Sequence, residues 1–378
     1  MKRHWAYFEI LEMATIQTWM QAWKTKAERP GILAFLAEDS QSAVTNLQVC
    51  ATKTGLSLIG GIFPELIIQA RFRQHGLLLI GLDPMPPYRL HSGLSSANGR
   101  KTALSGLTEL AEGLSDSDNT LFMLFDGLYG QTASFLADLY YELGDTCRYA
   151  GVNAGSETFQ PMPCLFDNRQ FLADAVLSTV LPIPCGAILE HAYPICKKAL
   201  TATATTGNRI TRIDLEPAFD KYVKLVRDYY AEEVSRENFY SMGVHFPFAL
   251  MRANGECLIR IPVAVDEDGA LFCVGEVPEG ALLTVARGIE AGNGDAVIKL
   301  ARQYQDLQAR AGLFFYCAGR RMHLSSAASE ELSQLASVLP DEPLLGALTL
   351  GEIGNSAFGG YPLFHNATLV ALPLELAS

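Results

Sequence analysis

The sequence predicts an α/β chain, in the broad sense that includes α+β, with mixed β-sheets packed against helices and internally repeated strand–helix–loop–strand units in two intertwined parts. Three observations predict it. Short apolar runs alternate with amphipathic stretches along the chain, one of the runs recurs with the same punctuation three times, and 378 residues at 49% hydrophobic can bury a large core without disulfides or metals.

Residues 5 to 26 place Ala6, Ile10, Met13, Ile16, Met20 and Trp23 at spacings of three and four, which predicts an amphipathic helix ended by Arg29-Pro30 and suited to cover a sheet or pack on a partner. The stretch LTATATTGN reads as a boundary, and Pro217 then starts a helix whose Phe219, Tyr222, Val223, Val226 and Tyr230 form one stripe. Residues 253–280 read as strand, turn and strand, with Asp268-Gly269 supplying the positive φ of a tight hairpin. GNGDAVIKLARQYQDLQARA follows as a helix and LFFYCAG as a buried strand. The expected layout is an N-terminal helix over 1–30, a first part over 31–215 and a second over 216–378.

The repeat is the most informative feature. Apolar strands begin at ILAFLAED (from 32), LFMLFDGL (from 121) and LFFYCAGR (from 313). Each leads through a helix to a glycine followed five or six residues later by glutamate: Gly60 and Glu65, Gly151 and Glu157, Gly346 and Glu352. After intervals of 11, 11 and 14 residues (65 to 76, 157 to 168, 352 to 366) come His75-Gly76, Asp167-Asn168 and His365-Asn366, each ahead of another apolar stretch. Gly and Asn tolerate left-handed backbone, so these dipeptides read as turns that start a strand. A second reading gathers the three loops at one end of the sheets, where Gly351, Glu352 and their counterparts face a small ligand.

Composition narrows the partners. A formal charge of −12 and a pI near 5.1, with no Lys/Arg stripe, argue against nucleic acid. The eight cysteines lie in apolar surroundings with no C-x-x-C pair and read as reduced and buried. No apolar run reaches 18 residues and no signal-peptide pattern opens the chain, so the expectation is a cytoplasmic chain without membrane association. Nucleotide-binding, zinc-protease and serine-hydrolase motifs are absent, and the reading is not an enzyme. Cys317 is the one candidate nucleophile, with His323 or His365 as base, but its place at a strand end points to a buried, inert thiol.

Arg320 and Arg321, at the end of a strand, suit a carboxylate or an ion pair with one of the loop glutamates, and His323 stands beside them.

At this depth the chain resembles the FIST family, a two-part sensory module. FYCAGRRMHL (315–324), LTLGEIG (348–354) and HNATLVAL (365–372) follow the pattern of its C-terminal part, and LFDGLYG (124–130), YAGVNAGSE (149–157) and LFDN (165–168) the looser pattern of its N-terminal part. Phe63-Pro64 in IGGIFPEL departs from the small residues common there. The resemblance spans roughly residues 31 to 375 and adds Asn153 and Gly155 to the candidate ligand-binding residues, beside Glu157, Arg320, Arg321, Gly351, Glu352, His365 and Asn366. It implies sensing of a small molecule, an amino acid or haem, with output through a separate histidine kinase or cyclic-di-GMP enzyme. In the family's haem-binding, nitric-oxide-sensing branch an imidazole would hold the iron. His191 and His245, flanked by apolar and aromatic residues, are the candidates for that role. The alternative from another class is a ligand-free interaction scaffold that docks its partner through the N-terminal helix.

Overall fold

The computed structural model describes residues 2–112, 118–194, 199–356 and 360–376. Its core is one unit used three times, and each copy begins earlier than the apolar run that betrays it in the sequence. The first copy comprises the strand Lys2–Phe8, the helix Met13–Lys26, the strand Gly31–Ala37, the helix Val44–Thr54, the strand Ser57–Phe63, a short hairpin Leu66–Ile68 and Arg71–Arg73, and the strand Leu77–Asp83. The second runs in the same order from Tyr88–Ser92 through Ala97–Ala111, Thr120–Asp126, Thr132–Leu143, Arg148–Ala154 and the hairpin Leu165–Asp167 and Phe171–Leu172 to Ala175–Leu181. The third runs from Ile188–Glu190 to Leu369–Leu372.

In every copy the two strands that flank a crossover helix lie parallel, as such a connection requires. Gly31–Ala37 pairs with Ser57–Phe63, Thr120–Asp126 with Arg148–Ala154, and Leu313–Cys317 with Leu345–Thr349. The last strand of each copy folds back antiparallel to the first of that pair. Gly60, Gly151 and Gly346 occupy one position of this ladder, opposite Ala34, Met123 and Phe314. A Cβ there would lie 2.1, 2.5 and 1.8 Å from the carbonyl oxygens of those same three residues. The recurring glycine is a close-approach residue.

The short hairpins are exchanged around a ring. The hairpin of the first copy extends the third sheet (Ala347 opposite Leu66), that of the second extends the first (Leu165 opposite Gly61), and that of the third, Glu352–Asn355 and Pro362–His365, extends the second (Glu352 opposite Val152). Three sheets of six strands result, and no sheet belongs to one copy alone. Their inner faces bury Phe35, Phe122, Leu124 and Phe315 in a common core. Backbone bonds between the loops close the ring: Gly155 N–H donates to Ile62 O at 2.8 Å, Asn153 N–H to Gly351 O at 2.8 Å, and Leu348 N–H to Glu65 O at 2.8 Å.

Between Ile188–Glu190 and the helix Asp295–Asp306 the third copy carries an insertion. It is an eight-stranded, antiparallel sheet from Leu200–Thr206 to Leu282–Val285, packed on the helix Ala218–Tyr230, and it draws strands from both sides of residues 215–216. Pro217 stands at that helix's start, and Ala218, Tyr222, Leu225 and Val226 form the buried stripe.

Four local expectations change. Residues 5–8 belong to the strand Lys2–Phe8, with Trp5 opposite Ile80; the helix begins only at Met13, where Glu12 accepts the Thr15 hydroxyl at 2.8 Å. Its Ile16, Met20 and Trp23 are fully used inside the protein. LTATATTGN is the strand Leu200–Thr206 and the turn into Arg209–Ile213, because alternating Thr and Ala suit a half-buried strand. The turn at Asp268-Gly269 is wider than two residues: Asp266 accepts the Ala270 N–H with its side chain at 2.8 Å, and only Gly269 of the pair has positive φ (80°). Finally, Asp167-Asn168 sits inside a hairpin; the residues with positive φ just before each closing strand are Gly76, Asp174 and Ala367.

The seven described cysteines are unpaired; Cys196 lies outside the described residues. Among the described residues no helix is long and apolar enough to cross a membrane.

Candidate functional site

The third copy places its polar residues at the carboxyl ends of its parallel strands, Leu313–Cys317 and Leu345–Thr349, where open α/β sheets present side chains to ligands. Glu352 is fully enclosed there. The hydroxyl of Thr349 donates to Oε1 and that of Thr368 to Oε2, both at 2.6 Å. Burial pushes the carboxyl up to about 7, against these hydroxyls and the Cys317 thiol, which favour its charged form. Burial and the neighbouring Glu352 in turn hold the Cys317 thiol far above its usual range, which disfavours the thiolate.

Asn366, directly after the hairpin strand Pro362–His365, is 1% exposed, yet among the described residues neither its amide oxygen nor its amide nitrogen has a hydrogen-bond partner. Asn153, 2% exposed, leaves its side-chain oxygen unpartnered as well. Unpaired buried amides are costly and rare, which makes them pointers to a ligand. Asn366 and Cys317 line a cavity of about 30 Å³ whose other walls include Glu157 and Phe159 of the second copy, Met322 of the third, and Tyr240, Val263 and Val274 of the insertion. Gly351 is required beside it, because a Cβ would lie 2.4 Å from the Phe364 ring. Gly155 and Asn153 hold the ring of loops through their backbone, as described above.

The remaining candidates are separated from this cavity. Arg320 is fully buried and gives a bidentate pair to Glu331 (2.8 and 2.6 Å), with further bonds to the carbonyls of His191 and Ala367. Its partner is a helix residue that also receives the Tyr316 hydroxyl at 2.6 Å, so Arg320 pairs with Glu331 rather than with a loop glutamate. Arg321 takes the loop glutamate instead: Nη2 lies 3.1 Å from Glu65 Oε1, with the guanidinium 4.6 Å from the centre of the Phe72 ring. Glu65 and Arg321 face a separate surface cleft of about 540 Å³. The three glutamates therefore do not converge; Glu157 faces the cavity, Glu352 lies beneath it and Glu65 lies in that other cleft.

Haem does not fit these residues. His191 accepts the Tyr193 N–H at Nδ1 (3.0 Å) and meets the Cys257 backbone with its ring, so iron at a nitrogen engaged in either bond would displace that bond; burial drives its pKa down to about 4. His245 spends Nδ1 on His323 Nδ1 at 2.6 Å, and His323 Nε2 bonds the Ile289 carbonyl at 2.7 Å. The adjacent cavity has no room for a porphyrin. His365 is half-buried, with Nε2 enclosed and unpartnered among the described residues, and burial of the ring, aided by His191 and Arg260, pushes its pKa to about 3. It stays neutral and faces Glu352 across the hairpin register.

Sequence reasoning did not single out Thr349, Thr368 or Glu331, since each earns its place through a partner brought in by the fold. No group of three or more metal-ligating side chains occurs among the described residues. Residues 32–216 match the FIST N domain and residues 218–355 the FIST C domain. No curated protein matches the chain.

Proposed function

Because the chain belongs to the FIST family of sensory modules, we propose that it binds a small organic ligand at Asn366 and reports occupancy by a shift of the inserted sheet. The observation that carries this reading is the buried amide of Asn366, unpartnered among the described residues, on the wall of a cavity between the second copy, the third copy and the insertion. An amide supplies one donor pair and one acceptor, and the Glu157 carboxylate across the cavity adds a negative group. A molecule carrying both an acceptor and a donor, the latter cationic at its Glu157 end, matches this set; an amino acid is one such molecule.

The cavity of about 30 Å³ admits little more than a water molecule. A larger ligand must therefore part the insertion from the helix Ala318–Leu324, which are joined by the His245–His323 pair and by the Tyr240 hydroxyl, 3.9 Å from Met322 Sδ. The ligand then favours an opened arrangement, and a separate signalling protein that prefers one of the two arrangements reads the difference. A histidine kinase or a cyclic-di-GMP enzyme in the cytoplasm is the partner in this reading, and the site acts by binding without catalysis. The scaffold alternative lacks its docking element, because the apolar stripe of the helix Met13–Lys26 is consumed within the fold.

The test is ligand-observed NMR with each of the common amino acids on the wild type, Asn366→Leu and Glu157→Gln. Saturable binding by the wild type that both substitutions abolish is expected; binding that survives both removes the assignment. Haem titration with an absorption spectrum is run beside it, and no stoichiometric Soret band is expected.

A further inference from the structure

A second cleft, of about 510 Å³, opens on the far side of the strand Cys257–Arg260, between the inserted sheet, the helix Thr132–Leu143 and the hairpin ending at His365. It shares no lining residue with the cavity at Asn366. Arg260 lies in its wall and is only 2% exposed. Its Nε donates to Glu276 O at 3.0 Å, and its Nη1 to Ile259 O at 3.0 Å and Phe364 O at 3.1 Å; among the described residues Nη2 has no acceptor. Among the described residues no carboxylate lies within ion-pair distance of this guanidinium, since Glu276, the nearest acid, turns its carboxylate to the N–H (3.0 Å) and hydroxyl of Ser134. A buried cation without a counter-ion is costly, and burial accordingly lowers the Arg260 pKa to about 10.

The rest of the lining states what completes it. Leu250, Leu258, Leu363, Pro362 and Ala137 make an apolar wall continuous with the guanidinium. Glu276, Glu279 and Arg252 also border the cleft; Arg252 is drawn to Glu256 at 3.9 Å, so the two acids set against one already shared cation disfavour a second negative charge on an occupant. One free Nη2, one uncompensated charge and an apolar body of space describe a single complementary chemistry. We propose that this cleft binds a monocarboxylate with an apolar body, its carboxylate on Nη2 of Arg260 and its hydrocarbon against Leu250, Leu258 and Leu363. Because Phe364 O and Ser134 bridge the inserted sheet to two copies of the repeat, such an occupant would also tie the three together.

Isothermal titration calorimetry of the full chain with 4-phenylbutyrate and with its uncharged amide tests the assignment. One saturable equivalent of the acid is expected, with the amide weaker by roughly tenfold or more, as loss of a charge-assisted bond implies. Arg260→Met removes the cation. Ala137→Phe, on a half-buried helix face, fills the cleft while leaving every Arg260 bond in place, so it serves even where the arginine variant fails to fold. Both substitutions should abolish binding of the acid. Absence of saturable binding at millimolar 4-phenylbutyrate, equal binding of acid and amide, or wild-type binding by Ala137→Phe overturns the proposal.

Discussion

The Thr368 hydroxyl donates to Glu352 Oε2 at 2.6 Å, which joins the closing strand of the third repeat to the hairpin that repeat lends to the second. Because Thr349 holds the other oxygen, the carboxyl is fully bonded yet fully buried, and burial wins by raising its pKa to about 7.

The pH dependence follows in sign. A carboxyl whose folded pKa lies above its unfolded value near 4.5 keeps its proton more tightly in the native state, so stability is greatest below that value and falls as pH rises toward 7. Each unit of difference is about 1.4 kcal/mol. Urea denaturation between pH 5 and 8 should show this decline in the wild type and a flatter profile in Glu352→Gln; parallel profiles would show that Glu352 titrates normally.

Arg320 and Glu331 form the buried pair that the sequence suggested for a loop glutamate. Removing either partner strands a buried charge, and Glu331→Ala should cost about 3–5 kcal/mol in denaturant unfolding. Arg320→Met should be similarly damaging and should reduce ligand binding only in proportion to the folded fraction. A well-folded Arg320→Met that has lost ligand binding contradicts the structural role given to it here.

His245 and His323 both have pKa values lowered chiefly by burial. The groups facing the pair are Glu232, which raises that of His245, and Arg320, which lowers that of His323. Lowered histidines contribute stability above the ordinary value near 6.5 and lose it as pH falls below that, because protonation sets two cations side by side. Hydrogen exchange at residues 286–289 and 318–324 should therefore accelerate between pH 6.5 and 5 in the wild type. In His245→Phe the acceleration should be much smaller; an identical pH response would place the sensitivity elsewhere.

Gly346→Ala brings a Cβ to 1.8 Å from the Phe314 carbonyl and must push two buried strands apart. Destabilisation of roughly 1–3 kcal/mol or more is expected, as for other overpacked cores. The equivalent changes at Gly60 and Gly151 should be damaging in the same way, and thermal unfolding of all three variants compares them. A neutral substitution at any one would break the equivalence of the three copies.

Much of the fold was legible in local chemistry. The repeated apolar strands, the glycine of each second strand, the helix after Pro217 and the helix Asp295–Asp306 all follow from periodicity or from what a missing Cβ permits. Glu352 and Asn366 were legible as candidates for the same reason, since polar residues in an apolar context declare themselves. Arg260 left a fainter trace: it stands two residues after Leu258 on one face of an apolar strand, where an inward charge needs a reason.

The sequence by itself therefore determined the repeating unit, its glycines and the family, because these depend on interactions between residues near one another in the chain. Tertiary structure alone decided that each hairpin leaves its own copy, that residues 5–8 pair with Leu77–Asp83, that Arg321 rather than Arg320 meets Glu65, and that Asn366 is left unpartnered. Those outcomes depend on partners up to hundreds of residues away, and a strand's pattern states which face it buries without stating against whom.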